Sequence, residues 1–237
     1  MDLVYENLVE AVWVERKNRF VLDARLADGT VVQAHSNNTG TMRSCNQPGS
    51  AVWLEKHDDP KRKLKYSLRL VQAGDVLVGV DTSAPQKVFI SAVNRGAIAA
   101  LEGYRVSATE VTVAKGSRLD VLLEKEAGGQ QVKGWVELKN VTLQEDGVLY
   151  FPDAVTERGA RHLLELQKLG KQQDCEAFAV FMVQRSDGTH LSPAKHIDPD
   201  FTRILRRVCR QAVTPLALRV EVTPEGLRFV EEIEVVL

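Results

Sequence analysis

The 237-residue sequence has few cysteines: Cys45, Cys175 and Cys209 are odd in number, widely spaced and without a CxxC pair. That excludes a disulfide scaffold and a cysteine-built zinc site, and fits free thiols in a reducing compartment. Aromatic residues make up only 6%, so any polynucleotide contact has to rest on backbone phosphates more than on base stacking. No stretch approaches the roughly 18 consecutive apolar residues of a membrane span. The start, Met1-Asp2-Leu3-Val4-Tyr5-Glu6, has neither the basic beginning nor the apolar run of a signal peptide. Charge of one sign is also missing, with 31 Lys and Arg against 32 Asp and Glu and a net of −1. That excludes a protein that coats nucleic acid by bulk positive charge, though not a local basic groove. The expectation is a soluble, cytoplasmic protein that does not contact a membrane.

What is present is strand-like at first. Phe20, Leu22, Ala24 and Leu26 alternate with more polar residues, the period of a half-buried strand. Asp28-Gly29 follows, so residues 19–35 read as a hairpin. Further strands are expected at 8–14, 51–55, 66–72 and 76–80. Many short strands in eighty residues suggest a small barrel or sandwich. Beyond a boundary near residue 83 the pattern changes. Residues 85–101 are helical in character. Strands follow at 108–114, 118–125, 133–141, 148–151, 176–184, 216–222 and 227–236, with helices at 154–169 and 199–212. The first long helix carries Val155, Leu163, Leu166 and Leu169 as an apolar stripe; the second carries Phe201, Leu205, Val208 and Ala212. Asp153 and Asp198 read as their N-caps, the latter backed by Pro199. A mixed sheet carrying helices is the natural α+β or α/β architecture for residues 84–237. Neither a coiled coil nor a long apolar surface helix indicates an oligomeric state.

The chemistry concentrates in one hairpin. Strand-like segments around Leu119–Leu123 and Trp135–Val141 flank Gly128-Gly129, a permitted two-residue turn. With that pair as the loop, opposed residue numbers sum to 257 and Asp120 faces Glu137. Alternation puts Lys139 on the face of Glu137. Two carboxylates opposed across a ladder repel each other, and a divalent cation with hard oxygen ligands, Mg2+ or Mn2+, would relieve the repulsion. Asp120 and Glu137 would be its ligands, and Lys139 could orient a water or stabilise charge on a phosphate. The competing reading is an exposed charged hairpin in which Lys139 merely neutralises its neighbours.

The spacing Asp120 … Glu137-Leu138-Lys139 resembles the core of the PD-(D/E)XK nuclease fold, with Leu119 where the motif's name has proline. The longer text is similar to the sugar fermentation stimulation protein A (SfsA) family. Ser117-Arg118-Leu119-Asp120, Val136 to Leu143 and Phe151-Pro152-Asp153-Ala154-Val155-Thr156-Glu157-Arg158-Gly159 carry the resemblance. His162 to Leu166, Ile197-Asp198-Pro199, Asn18-Arg19-Phe20, His35 and Asn38-Thr39-Gly40 extend it over nearly the whole chain. Asp81-Thr82 departs from it, standing where Asn-Thr is expected. The resemblance implies an N-terminal OB-like β-barrel (residues 1–83) followed by a PD-(D/E)XK nuclease-like mixed sheet flanked by helices (84–237). It also implies DNA binding and a link to the regulation of sugar, notably maltose, utilisation. By position, Asp120, Glu137 and Lys139 become the catalytic set, with Glu110 as a further metal ligand.

Other residues join as candidates. Asp153, Thr156, Glu157, Arg158 and His162 lie at the entrance and first turns of the helix at 154–169, where backbone N–H groups favour a phosphate. Gln184 and Arg185 stand at a strand end. Basic clusters at Arg16, Lys17 and Arg19 and at Lys61, Arg62, Lys63 and Lys65 are expected nucleic-acid contacts in the barrel, and Arg203, Arg206, Arg207 and Arg210 share one helix face. Three functions fit: a weakly sequence-specific DNA-binding protein with a metal-dependent phosphodiesterase centre, a non-catalytic DNA-binding regulator, or a module sensing a sugar or nucleotide.

Overall fold

The computed structural model describes residues 1–114 and 116–237. Its elements run β1 (Leu3–Val4), β2 (Leu8–Asn18), β3 (Val21–Leu26), β4 (Val31–His35), β5 (Ala51–Lys56), β6 (Tyr66–Ala73) and β7 (Val76–Gly79). There follow α1 (Ala84–Asn94), β8 (Arg105–Ala114), β9 (Ser117–Ala127), β10 (Gln130–Val141), β11 (Leu143–Glu145), β12 (Val148–Phe151) and α2 (Glu157–Gly170). The last are β13 (Cys175–Val183), β14 (Leu191–Pro193), α3 (Pro199–Cys209), β15 (Thr214–Thr223) and β16 (Gly226–Ile233).

Strands β2 to β7 form one sheet, ordered β4-β3-β2-β5-β6-β7, and β4 pairs in parallel with β6 to close a five-stranded barrel. Its interior holds the alternate residues Leu22 and Ala24 of β3 with Val52 and Leu54 of β5. The β3–β4 turn lies at Asp28-Gly29, where Gly29 takes φ 86°. Phe20 is exposed and precedes the strand, so the buried stripe begins at Leu22.

The second sheet runs β1-β16-β15-β13-β10-β9-β8, with β10, β13 and β15 parallel and the other pairs antiparallel. Its central strand β13 is buried on both faces, as parallel strands between helices are. Phe178, Val180 and Met182 meet α1, while Ala177, Ala179, Phe181 and Val183 meet α2 and α3. Strands β11, β12 and β14 make a small third sheet.

Three expectations need correction. The barrel unit does not own the first strand: Leu3 and Val4 pair with Leu227 and Gly226 at the edge of the second sheet. Asp2 secures that strand by accepting bonds from Ser91 Oγ, Arg95 and the Phe229 N–H. The helix expected over 85–101 stops at Asn94, since Gly96 turns the chain with φ 66°, and a short 3-10 turn covers Ala99–Leu101. Finally, α2 starts three residues later than the expected 154 and is capped by Thr156, whose Oγ1 accepts the Gly159 N–H at 3.1 Å. Val155 lies outside the helix and is exposed, so Leu163 and Leu166 carry the buried stripe. Asp198 caps α3 as expected, accepting the Phe201 N–H at 2.8 Å.

Candidate metal centre

The β9–β10 hairpin has the register that its turn demands. Gly128 and Gly129 take φ 60° and 79°, the positive values of a two-residue turn, and pairing runs from Ala127↔Gln130 to Val121↔Val136. One step further the ladder yields to side-chain bonding: Asp120 Oδ2 accepts the Leu138 N–H at 2.6 Å. The carboxylate therefore replaces a strand bond and is fixed by backbone.

Glu137 comes from β10 on the side facing α2, the face on which Trp135 and Val141 join the α2–α3 core. It is 3% exposed. Its Oε1 takes two donors, Lys139 Nζ at 2.6 Å and His162 Nδ1 at 2.5 Å. Its Oε2 is buried and has no hydrogen-bond partner among the described residues. Arg158 Nε lies 3.5 Å from His162 Nε2, so the ring accepts there and carries its proton on Nδ1. Burial opposes ionisation of Glu137, but the Lys139 charge and the bonds from His162 and Lys139 outweigh it and hold the carboxyl below its ordinary value. Asp120 goes the other way. Burial first, then the charge of Glu137, pushes its carboxyl up to about 6, against the pull of the Leu138 N–H and Lys139. The surroundings thus push two neighbouring carboxyls in opposite directions.

Glu110 sits opposite Asp120, because its neighbours pair as Thr109↔Val121 and Val111↔Leu119. It adopts φ 53°, a left-handed conformation that a glutamate rarely takes, and meets Arg118 at 3.5 Å. Gln86 of α1 spans the two strands, donating to the Asp120 carbonyl at 3.0 Å and to Glu110 Oε1 at 3.3 Å. No spacing rule points to Gln86, since its role depends on α1 crossing the sheet. A cleft of about 500 Å3 lies over the group, walled by Glu110, Asp120, Glu137 and Lys139 and roofed by the barrel segment Asn37–Gly40.

The other candidates divide. Thr156, Arg158 and His162 line the cleft, and Thr156 is held there by its N–H bond to Asp198 Oδ2 at 2.9 Å. Asp153 lines it too, but as a tie to the barrel: its Oδ2 accepts the Met42 N–H at 2.9 Å and its carbonyl accepts Thr41 Oγ1 at 2.8 Å. A Cβ on Gly40 would stand 2.5 Å from that carboxylate. Glu157 opens α2 but is absent from the cleft's described lining. Gln184 and Arg185 were expected near substrate and are instead buried at the junction between the two sheets. Gln184 accepts the Gly79 N–H at 2.9 Å through its carbonyl and donates to Asn140 Oδ1 at 2.6 Å. Arg185 donates to Ser44 Oγ and the Thr142 carbonyl, and binds both oxygens of Asp187.

The barrel cations lie away from the carboxylates, and none is in the described lining of the cleft. Arg16 is spent on main-chain carbonyls of Asn38, Gly40, Thr41 and Arg19, shaping the loop that roofs the site. Lys17 pairs with Asp23 at 3.3 Å, Arg19 stacks over Phe20, Arg62 donates to Ser67 and Lys65 to the Asp59 carbonyl. Lys61 and Lys63 remain in surface positions. Asp81, the residue that departs from the expected Asn, is buried and gathers Asn37, Arg69 and Ser83.

Among the described residues, no three of His, Cys, Asp and Glu form a ready metal-binding cluster. The group nonetheless fits a hard divalent cation. Magnesium in particular keeps several waters and takes one or two carboxylates plus substrate phosphates, and the unpartnered buried Glu137 Oε2 is the oxygen such an ion would satisfy.

A closed barrel joined to a mixed sheet with a carboxylate–lysine cleft between them defines a two-unit protein of a recognisable class. Family models match both units: an SfsA N-terminal OB domain over residues 14–80 and a sugar fermentation stimulation protein RE domain over residues 83–226. The chain belongs to the sugar fermentation stimulation protein family. It is 44% identical over 228 residues to the sugar fermentation stimulation protein homolog of Geobacter sulfurreducens, covering 96% of each chain. With the homolog of Maricaulis maris it shares 44% over 222 residues and 93% of each chain. The solved structure of Pyrococcus furiosus SfsA in complex with Ca2+ is similar over 99% of this chain and 98% of that one, with TM-score 0.88 and 26% identity.

Proposed function

We propose that this chain is a cytoplasmic DNA-binding protein with a divalent-cation-dependent phosphodiesterase centre at Asp120, Glu137 and Lys139. The observation that carries the reading is Glu137 Oε2, buried and without a partner beside a second carboxylate of raised pKa. Asp120 and Glu137 would hold Mg2+ or Mn2+, with Glu110 across the ladder. Such an ion supplies Lewis-acid polarisation of a phosphoryl oxygen and a more acidic bound water. The chain's own part is positional. The Leu138 N–H fixes Asp120, and His162 fixes the rotamer of Glu137 from α2. Lys139 brings a positive charge to the cleft, where a phosphate develops negative charge. The ion in the Pyrococcus furiosus structure, Ca2+, is also a hard oxygen-seeking cation. The family resemblance adds weak sequence specificity and a place in the regulation of maltose utilisation.

The test is calorimetric titration with Mn2+ followed by incubation of end-labelled DNA with Mg2+ or Mn2+. Wild type should bind the ion and cleave, Glu137→Gln should lose both, and Lys139→Ala should keep binding and lose cleavage at least 100-fold. Cation binding without cleavage would make the centre non-catalytic and favour the DNA-binding regulator instead. Absence of cation binding would remove the centre.

A further inference from the structure

Beyond Lys139, the basic side chains around the carboxylate cleft lie on α2 and the start of β9. Arg158 and His162 wall the cleft, and the same two residues begin a second concavity of about 420 Å3 that runs along α2. Arg161, Glu165 and Lys168 line it on one side, and Gly116 and Ser117 on the other. A third hollow of about 400 Å3 shares Arg158 and Arg161 and reaches Arg118 and Thr112 on the β8–β9 hairpin. The three hollows adjoin at Arg158 and together make a trough that follows α2 from the carboxylate cleft to Lys168 in its last turn.

Its charge is uneven. Among the described residues Arg158 and Arg161 have no carboxylate within ion-pair distance, whereas Arg118 meets Glu110 and Lys168 meets Glu165. Ser117 Oγ, also in the trough wall, is buried with no hydrogen-bond partner among the described residues. Helix dipole compensation does not explain the arginines, because cations are favoured at a helix C-terminus and Arg158 and Arg161 lie in the first turns of α2. The barrel clusters, by contrast, are largely spent on internal bonds and stand off the cleft. Cations without ion-pair partners leading away from a phosphate-handling centre are what a polyanion backbone needs.

We infer that one phosphodiester strand enters the centre along α2, its backbone held by Arg158, Arg161, Lys168 and Arg118 with Ser117 Oγ as a neutral donor, and that the barrel clusters contribute little. This rests on the phosphodiesterase reading and names the path of its polymer. The hollows enclose about 400–500 Å3 each, which suits a single strand or a frayed end better than an intact duplex.

The test measures binding of a fluorescent 20-nucleotide thymidine oligomer to the full chain by anisotropy, with Ca2+ present and salt varied. Three proteins are compared: wild type, Arg161→Ala/Lys168→Ala and Lys61→Ala/Lys63→Ala. All four changed side chains are at the surface, and matching melting temperatures check that each variant is folded. The trough variant should bind at least tenfold more weakly, with the slope of log affinity against log salt reduced by about 1.4, or about 0.7 for each single-strand phosphate no longer neutralised. The barrel variant should stay within twofold of wild type. A trough variant within twofold of wild type, or a barrel variant that weakens as much, overturns the path while leaving the centre intact. A wild type that binds no oligomer while still binding Mn2+ overturns the path and the DNA reading together. Failure of wild type to bind Mn2+ overturns the centre, and the path into it falls with that reading.

Discussion

His162 Nδ1 lies 2.5 Å from Glu137 Oε1, and that bond decides which carboxylate oxygen is left free. With Lys139 on the same oxygen, the other oxygen is left buried without a donor among the described residues. The helix thus sets the orientation of a strand residue that it does not covalently precede.

His162→Ala should therefore weaken divalent-cation binding by about 10-fold or more, the usual cost of losing a partner that orients a ligand. His162→Gln, which keeps a donor, should recover part of it. Calorimetry with Mn2+ checks this, and equal affinity in wild type and His162→Ala would reduce His162 to helix packing.

The metal-free protein should lose stability as pH rises from 5 to 7.5. Asp120 is pushed up to about 6 in the fold from 3.8, the ordinary value. The folded state then binds the extra proton, so this contribution is complete below about pH 4 and is lost as pH climbs through 6. A shift of that size corresponds to at most about 3 kcal/mol. Glu137, held low, acts in the opposite sense only below its ordinary 4.5. Urea denaturation with a chelator should show the slope in wild type and a flatter one in Asp120→Asn. Identical slopes would place the Asp120 titration elsewhere.

Replacing Gly40 by Ala should cost about 1–3 kcal/mol, the typical penalty for forcing an extra methyl into a closed space. The added carbon would meet the Asp153 carboxylate at 2.5 Å. Asp153→Ala removes that clash but strands the Met42 N–H. The double variant should thus be destabilised by less than the sum of the two single effects. Equilibrium denaturation of all four proteins decides it; strict additivity would mean the loop moves away freely.

The three cysteines should react unequally. Burial pushes the Cys45 and Cys209 thiols up to about 12, which leaves little thiolate at pH 8. A thiol reagent on native protein should modify Cys175 first and Cys45 only after unfolding, as peptide mapping would show. Rapid labelling of Cys45 would contradict its burial.

Elements governed by local rules were legible in the sequence. The Gly128-Gly129 turn determines the β9–β10 register through two positive φ values, and with it the approach of Asp120 to Glu137. Asp198-Pro199 likewise announces α3. What stayed hidden depends on partners far along the chain. Asp153 looks like a cap until the barrel loop at Gly40–Met42 claims its carboxylate, leaving Thr156 to begin α2. Arg16 looks like a free cation until four carbonyls take its guanidinium. Gln184 and Arg185 are polar and end a strand, yet the barrel packs over them. The basic clusters at residues 16–19 and 61–65 stand out as runs along the sequence, whereas Arg118 joins Arg158 and Arg161 only because the β8–β9 hairpin and α2 wall one hollow.

The pairing of Leu3-Val4 with β16 has a consequence for how the two units can move. The barrel leaves the large sheet through β1 and returns to it through β7 and α1, so it is attached at two points. A domain on a single linker can swing like a pendant; this one is closer to a handle fixed at both ends. Rotation of the whole barrel would load both attachments at once, and the roof Asn37–Gly40 is itself pinned by Arg16 and by the bond of Asn37 to Asp81.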